Sequence, residues 1–173
     1  MIKKICSLAT LMLLWNVAHA QIAKWLVYPE YDGIEFIEGK YMKVLSNGKT
    51  GLLDFLGKVV LPPSYDYMTE YKDGYALLYN GGKLSAIVDI NGVLVDLGDV
   101  DYSVSPEDAR FYDGYLLVRA NDGNFYYINP KGQRVLGPYA KAFPFSEGYA
   151  SVREYVNYQK SQTETIYNLI DTK

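Results

Sequence analysis

The chain has 173 residues, of which 49% are hydrophobic and 15% aromatic, with 18 tyrosines but one cysteine and one histidine. Its formal net charge is −3, whereas a protein that binds nucleic acid usually presents a basic surface. A single cysteine excludes a disulfide within the chain.

The first twenty residues have the three parts of a secretory signal peptide. A positive head (Lys3-Lys4) precedes an apolar run of 11 residues (5–15), and residues 18–20 form an A-x-A end. A membrane-spanning helix needs about 20 apolar residues, so this run is too short for an anchor. The alternative, a buried N-terminal helix, leaves the lysines and the A-x-A end without a role. The sequence predicts a signal peptide over 1–20, cleavage before Gln21, and export to the periplasm, the cell surface or the medium.

Cleavage after residue 20 removes the chain's only thiol and only imidazole, Cys6 and His19. The mature chain then carries 15 Lys and Arg against 20 Asp and Glu, a net charge of −5. It excludes Cys-His zinc sites, cysteine nucleophiles and a Ser-His-Asp relay. We therefore expect no cofactor, no metal, no nucleic-acid partner and no transmembrane anchor in the mature protein.

Four segments of the mature chain repeat the same elements. Each begins with an acidic residue and Gly, continues through an apolar run that ends in Asp or Asn, and returns to Gly in the first three copies. From the first Gly to the Asp or Asn is 15 residues in these three copies, and from there to the next Gly is 3. The repeat cores are about 39–60, 74–95, 114–135 and 148–171.

This pattern resembles the bacterial WG-repeat (KWG) family, as does the connector Pro62-Pro63-Ser64-Tyr65-Asp66. The resemblance covers nearly all of the mature chain, although the Trp-Gly pair that names the family is missing. Gly51 keeps the glycine of that pair, and the equivalent positions hold Ala86, Tyr126 and Asn168. The resemblance implies a bacterial, often exported protein of a family whose functions are mostly unassigned, and it supplies no catalytic residues.

Each copy is predicted to form a three-stranded antiparallel meander, because turn signals separate its apolar runs. Asn47-Gly48 suits the positive-φ positions of a hairpin turn, and Asn129-Pro130-Lys131-Gly132 suits a type I turn. An ordinary β-sandwich needs similar turns but not the fixed spacing. We predict one all-β domain over 21–173, with about four repeats in a closed propeller-like ring or an open repeat stack.

The N-terminal strand suggests how a ring would close. Ile22–Tyr28, followed by Pro29–Asp32, matches Val59–Leu61 followed by Pro62–Asp66, while the fourth copy stops at Asp171 without a third strand. We therefore predict circular closure by pairing of residues 22–28 with the strand that ends near Asp171. This pairing would make four equivalent units and hide two sheet edges, which otherwise invite aggregation. The alternative is an open stack.

Two segments break the repeat. The connector within Asp96–Asp113 is longer by 5 residues, and 8 residues are inserted near Val156–Thr163, which we interpret as a polar, extended hairpin loop. Such insertions often mark a binding face, although neutral drift in loop length is an open alternative. Tyr155 and Tyr158 lie outside the repeat register and are candidate contacts with a partner. The recurring tyrosines at 41, 75, 115 and 149 are expected in the core.

Carboxylates provide the remaining candidates for chemistry. Asp96–Asp101 is a conceivable cation site, against a solvated acidic connector, which we favour. Glu35 with Glu38, and Glu107 with Asp108, are conceivable acid/base pairs for glycoside hydrolysis. The sequence favours a non-catalytic binding or scaffold module of the bacterial envelope, whose partner is an unknown envelope protein or glycan. The alternative is a hydrolase that acts on glycans through paired carboxylates.

Overall fold

The computed structural model describes residues 30–37, 40–98, 100–158 and 162–172, with only the backbone described at 106, 155–158 and 162–165. The described chain is all-β, apart from a short 3-10 turn at Pro106–Asp108. Its strands are β1 Gly33–Phe36, β2 Tyr41–Ser46, β3 Lys49–Asp54, β4 Val59–Tyr65, β5 Tyr67–Met68, β6 Tyr75–Asn80, β7 Lys83–Asp89, β8 Leu94–Asp96, β9 Tyr102–Ser103, β10 Leu116–Ala120, β11 Phe125–Ile128, β12 Arg134–Tyr139, β13 Lys141–Ala142, β14 Tyr149–Tyr158 and β15 Gln162–Asp171.

The strands group into units, each made of one short strand and the strands that follow it. Unit 1 is β1–β4, unit 2 is β5–β8, unit 3 is β9–β12 and unit 4 is β13–β15. The predicted antiparallel meander is present in β2–β4, β6–β8 and β10–β12. The short strand that begins each unit was not predicted. The strands of the meander are called the first, second and third strands of their unit, so that β2, β3 and β4 hold these places in unit 1. At β5, β9 and β13 the short strand forms where the chain that leaves the third strand of one unit pairs with the next unit.

The connector between units 1 and 2 illustrates this sharing of a strand. Tyr65, at the end of β4, pairs with Thr50 of unit 1. One residue later, the backbone N–H of Asp66 donates to the carbonyl of Tyr79 in unit 2 at 2.9 Å. Tyr102 likewise pairs with both Leu84 of unit 2 and Ala120 of unit 3. Consecutive units are therefore joined by hydrogen bonds as well as by the chain.

The acidic-Gly motif is a tight hairpin turn in units 2, 3 and 4. In unit 2, Asp73 and Gly74 have φ angles of 53° and 84°, and Lys72 and Tyr75 exchange two backbone hydrogen bonds around them. Residues other than glycine rarely adopt positive φ, and Asp and Asn are among the residues that tolerate it best. The same turn precedes Tyr115 and Tyr149, which explains why an acidic residue and Gly recur together.

The fixed spacing of three residues from Asp or Asn to Gly also has a structural cause. Oδ1 of Asp89 accepts hydrogen bonds from the backbone N–H groups of Asn91 and Val93, both at 2.8 Å. Asp54 and Asn129 make the same pair of bonds in units 1 and 3. In unit 3 the N–H of Gly132 donates to the carbonyl of Asn129 at 2.9 Å, which confirms the predicted turn.

Three of the four hydrophobic clusters lie between consecutive units, because side chains alternate between the two faces of each meander. The fourth cluster, Met42, Val44 and Leu53 with Tyr31, involves no residue of another unit. In unit 2, Ala76 and Leu78 pack with Leu52 of unit 1, whereas Leu77 packs with residues of unit 3 such as Leu116. Leu117 of unit 3 packs with Ala150 of unit 4. Each inner unit is therefore covered on both faces.

The extensive contacts between described strands join strands of one unit or of consecutive units. The predicted signal peptide and the predicted closing strand Ile22–Tyr28 lie outside the described residues. Within the part of the chain that is described, no helix has the length and hydropathy of a membrane span.

Candidate functional site

Unit 4 carries a hairpin that is longer than its counterparts. β14 and β15 pair over ten positions, from Tyr149↔Asp171 to Tyr158↔Gln162, whereas β2 and β3 pair over six. The insertion was interpreted as a loop, but Val156 to Tyr158 pair with residues 162–164. The eight extra residues thus lengthen both strands, and we call residues 155–165 the arm.

Both candidate anchor residues lie on the arm. Tyr155 is paired with Thr165 and Tyr158 with Gln162, so the two tyrosines share strand β14. Their side chains lie outside the described part of the structure. The tyrosines therefore stay a prediction as contact residues.

The base of the same hairpin has a face that is open to solvent at Tyr149, Tyr167 and Leu169 and that also carries the half-buried Ser151 and Arg153. We call these five residues the uncovered face. Leu169 is 70% exposed and Tyr167 is 64% exposed. The positions equivalent to Leu169 in units 1 to 3 are fully buried: Leu52, Ile87 and Tyr127. The difference is one of surroundings, because these residues are apolar in all four units.

The tyrosines that recur in the repeats are likewise more buried in units 2 and 3 than in unit 4. Tyr75 packs its ring on Phe111 with centroids 5.0 Å apart, and Tyr115 packs on Phe145 at 4.9 Å. In both pairs the partner lies in the next unit, between its short strand and its first long strand. Tyr149 is 52% exposed, so its expected place in the core is wrong. Its counterparts are half-buried because a following unit packs beside them.

The carboxylates singled out from the sequence do not converge among the described residues. Oδ1 of Asp96 accepts from the N–H of Gly98, and Asp101 forms an ion pair with Lys83 at 2.6 Å. Asp99 and Glu38 lie outside the described residues. Glu35 forms an ion pair with Lys43 on the surface of unit 1. Glu107 and Asp108 lie in the 3-10 turn between β9 and β10 of unit 3. No group of three or more metal-ligating residues occurs within the described ranges.

A cleft of about 400 Å³ between units 2 and 3 was missed by the sequence analysis. Tyr75, Asp89, Lys131 and Gln133 are among its lining residues. At the equivalent junction of units 1 and 2, the hydroxyl of Tyr41 donates to the carbonyl of Asn91 at 2.5 Å. The cleft depends on how two units pack, and no residue pattern in the sequence announces it.

Charged and aromatic side chains form a network along unit 3. Nε of Arg134 donates to the hydroxyl of Tyr102 at 2.6 Å, and the guanidinium lies 4.1 Å from the ring centroid of Tyr126. The hydroxyl of Tyr126 donates to Oδ2 of Asp122 at 2.7 Å. This bond and the N–H of Asn124 hold the pKa of Asp122 below its usual value, and the bond to Tyr102 raises the pKa of Arg134. The network stabilises the position that corresponds to the glycine of the missing Trp-Gly pair.

A comparison with protein families identifies the repeat that forms these units. The family model of the WG containing repeat matches residues 51–83 and 127–155. The chain carries WG repeats. Both matched WG segments begin in the second strand of one unit and run through the connector into the first long strand of the next unit or just beyond it. The WG repeat thus spans a junction between units, which is where three of the four hydrophobic clusters lie. No curated protein and no solved structure matches the chain.

Proposed function

We propose that the chain is an exported, non-catalytic binding or scaffold module of the bacterial envelope. The observation that carries the proposal is the arm. A regular frame of short strands contains one hairpin of ten residue pairs, whereas its counterparts have six pairs in units 1 and 2 and four pairs in unit 3. Additions to a repeat frame that do not contribute to its core are common sites of contact with partners.

The arrangement of the frame belongs to the same proposal. The four units are equivalent repeats in an open stack, and the closed ring is the alternative. Exposure of Leu169 and Tyr167 supports the open stack, since closure would place this face against another unit. An open stack offers a broad and mostly rigid surface, and a net mature charge of −5 disfavours acidic polymers as partners.

The arm can be tested by capture of partners from an envelope extract. One variant replaces residues 155–165 with Asn-Gly, the turn that joins β2 and β3. This change restores the length of an ordinary hairpin and leaves the base intact, so we expect folding to persist and capture to be lost. Capture that is unchanged in the shortened variant would remove the arm from the proposal.

Two single substitutions test the anchors on the arm. Tyr155→Ala and Tyr158→Ala are each expected to weaken binding by about 2 kcal/mol if the residue is an anchor, because buried aromatic side chains dominate interface energies. Tyr67→Ala is the matched control, since Tyr67 is a 58% exposed tyrosine on unit 2, outside the arm. Equal effects of all three changes would contradict the assignment.

The hydrolase alternative is tested on the same preparation. Purified mature protein is incubated with envelope and host-type glycans, and released sugars are measured. The proposal expects no turnover. Turnover that a single change such as Glu107→Gln or Asp108→Asn abolishes would overturn the non-catalytic assignment.

Export is tested by the intact mass of protein recovered from the envelope or the medium. The expected chain begins at Gln21, after the A-x-A end of the predicted signal peptide. A recovered chain that still carries residues 1–20 would contradict export by cleavage.

A further inference from the structure

The outer edge of β15 and the uncovered face form a place for one more strand. In units 1 to 3 the second strand pairs with a third: β3 with β4, β7 with β8 and β11 with β12. Leu52 opposes Leu61 in unit 1, and Tyr127 opposes Leu136 in unit 3. The described residues provide no such strand beside β15. A sheet edge beside exposed apolar side chains is a template for strand addition.

The chain contains a segment that matches a third strand, directly before unit 1. In unit 2, Oδ2 of Asp66 accepts from the N–H of Gly81 at 2.7 Å. In unit 1, Oδ2 of Asp32 accepts from the N–H of Asn47 at 2.6 Å. The N–H of each aspartate also donates to the first long strand of its unit, at 2.8 to 2.9 Å. Asp32 therefore stands in unit 1 where Asp66 stands in unit 2, and Asp66 directly follows the third strand β4.

The residues before Asp32 complete the match. Counting back from Asp32 and Asp66, Tyr31 corresponds to Tyr65 and Val27 to Leu61. Leu61 opposes Leu52, and Leu52 is the counterpart of Leu169. The register therefore places Val27 opposite Leu169. The segment Ile22–Tyr28 contains Ile, Trp, Val and Tyr, which favour half-buried strands.

We propose that Ile22–Tyr28 of a second copy of the chain adds to β15 and covers Leu169 and Tyr167. The inference rests on the open stack proposed above. Pairing within one chain would require unit 1 to lie against unit 4. The extensive contacts between described strands, however, join strands of one unit or of consecutive units, and Tyr149, Tyr167 and Leu169 on unit 4 are exposed. A second copy supplies the strand without moving the units. Because donor and acceptor are different surfaces, the contact is head-to-tail and is repeated from copy to copy.

Engineered cysteines provide the decisive test, since the mature chain has no thiol of its own. The mature chain with Val27→Cys and Leu169→Cys is oxidised and run under non-reducing conditions. The proposal expects disulfide-linked dimers and larger oligomers, which reduction converts back to monomers. A linked monomer would show pairing within one chain and overturn both this inference and the open stack. Absence of any link would overturn strand donation and leave the proposed binding role of the arm standing.

Mixing of two incomplete chains tests the same contact without cysteines. One chain begins at Pro29 and keeps the acceptor; the other keeps the donor and carries Leu169→Asp. Each alone is expected to sediment as a monomer, and their mixture as a one-to-one complex, while the complete chain forms larger species as its concentration rises. Leu56→Asp is the matched control, because Leu56 is 82% exposed in a turn of unit 1. Association of the Pro29 chain with itself, or a complete chain that stays monomeric, would overturn the proposal.

Discussion

Units 3 and 4 place similar side chains in opposite surroundings. Tyr127 and Leu169 occupy the same position of the second strand, yet Tyr127 is fully buried and Leu169 is 70% exposed. The ring of Tyr127 packs on Phe145 with centroids 4.9 Å apart, and its hydroxyl donates to the carbonyl of Phe143 at 2.6 Å. Both partners belong to unit 4, where they lie between β13 and β14. The comparison teaches that burial at a repeat position is provided by the unit that follows.

Loss of the Tyr127 side chain is expected to have the largest effect on stability. Tyr127→Ala removes a fully buried ring and leaves a cavity at the junction of units 3 and 4, and such changes cost about 3–5 kcal/mol. The free energy of unfolding is measured by urea denaturation. Tyr127→Phe separates the ring from the hydroxyl and should cost about 1 kcal/mol. A cost of Tyr127→Ala below that of the Phe variant would contradict the packing described.

The turn between β11 and β12 is expected to be the next most sensitive. Gly132 has a φ of 75°, and a Cβ there would lie 2.5 Å from Cδ2 of Leu97 in unit 2. Gly132→Ala should therefore cost about 2–4 kcal/mol, since overpacking adds to the strain of positive φ.

The control for this turn is Gly123→Ala. Gly123 has a φ of 84° and only a distant guanidinium atom near the added Cβ. It should cost about 1–2 kcal/mol, from the backbone alone. Equal costs for the two alanine variants would show that the contact with unit 2 yields easily.

The stability of unit 3 is expected to depend on pH through the carboxyl group of Asp122. Its pKa is held below the usual value by the hydroxyl of Tyr126 and the N–H of Asn124. A carboxyl with a lowered folded pKa stabilises the fold above its unfolded pKa, and this contribution is lost as pH falls through the folded pKa. Asp122→Asn should reduce the loss of stability below about pH 4.

A titration by carboxyl NMR checks this assignment directly. Tyr126→Phe removes the hydroxyl donor, so the pKa of Asp122 should rise towards its usual value. An unchanged pKa in the Phe variant would mean that the bond of 2.7 Å contributes little in solution.

Truncation on the uncovered face is expected to have the smallest effect. Leu169→Ala, measured by urea denaturation in dilute solution, should change the free energy of unfolding by less than about 0.5 kcal/mol, as exposed substitutions usually do. The matched substitution Leu52→Ala, at the buried counterpart in unit 1, should cost about 2–5 kcal/mol. Similar costs at the two positions would show that Leu169 is covered within a single chain.

The repeat cores and their turns were predictable because they are local. Asp89 and Gly92 define a turn through bonds within five residues, and the spacing in the sequence contains that information. The short strands that begin the units were not predictable, and neither was the exposure of Tyr149, because both depend on the neighbouring unit. The insertion near Val156–Thr163 was interpreted as a hairpin loop because its residues are polar. Hydrogen bonding between strands, however, does not require apolar side chains.

The bent strands that leave one unit and enter the next have a mechanical consequence. Tyr65 and Asp66 are adjacent in the chain, yet they bond to different units. A pull on the chain therefore cannot extract one unit without tearing hydrogen bonds from its neighbour. Such coupling between nearest neighbours makes partial rupture unfavourable, so under force the array should yield in few, large steps rather than unit by unit.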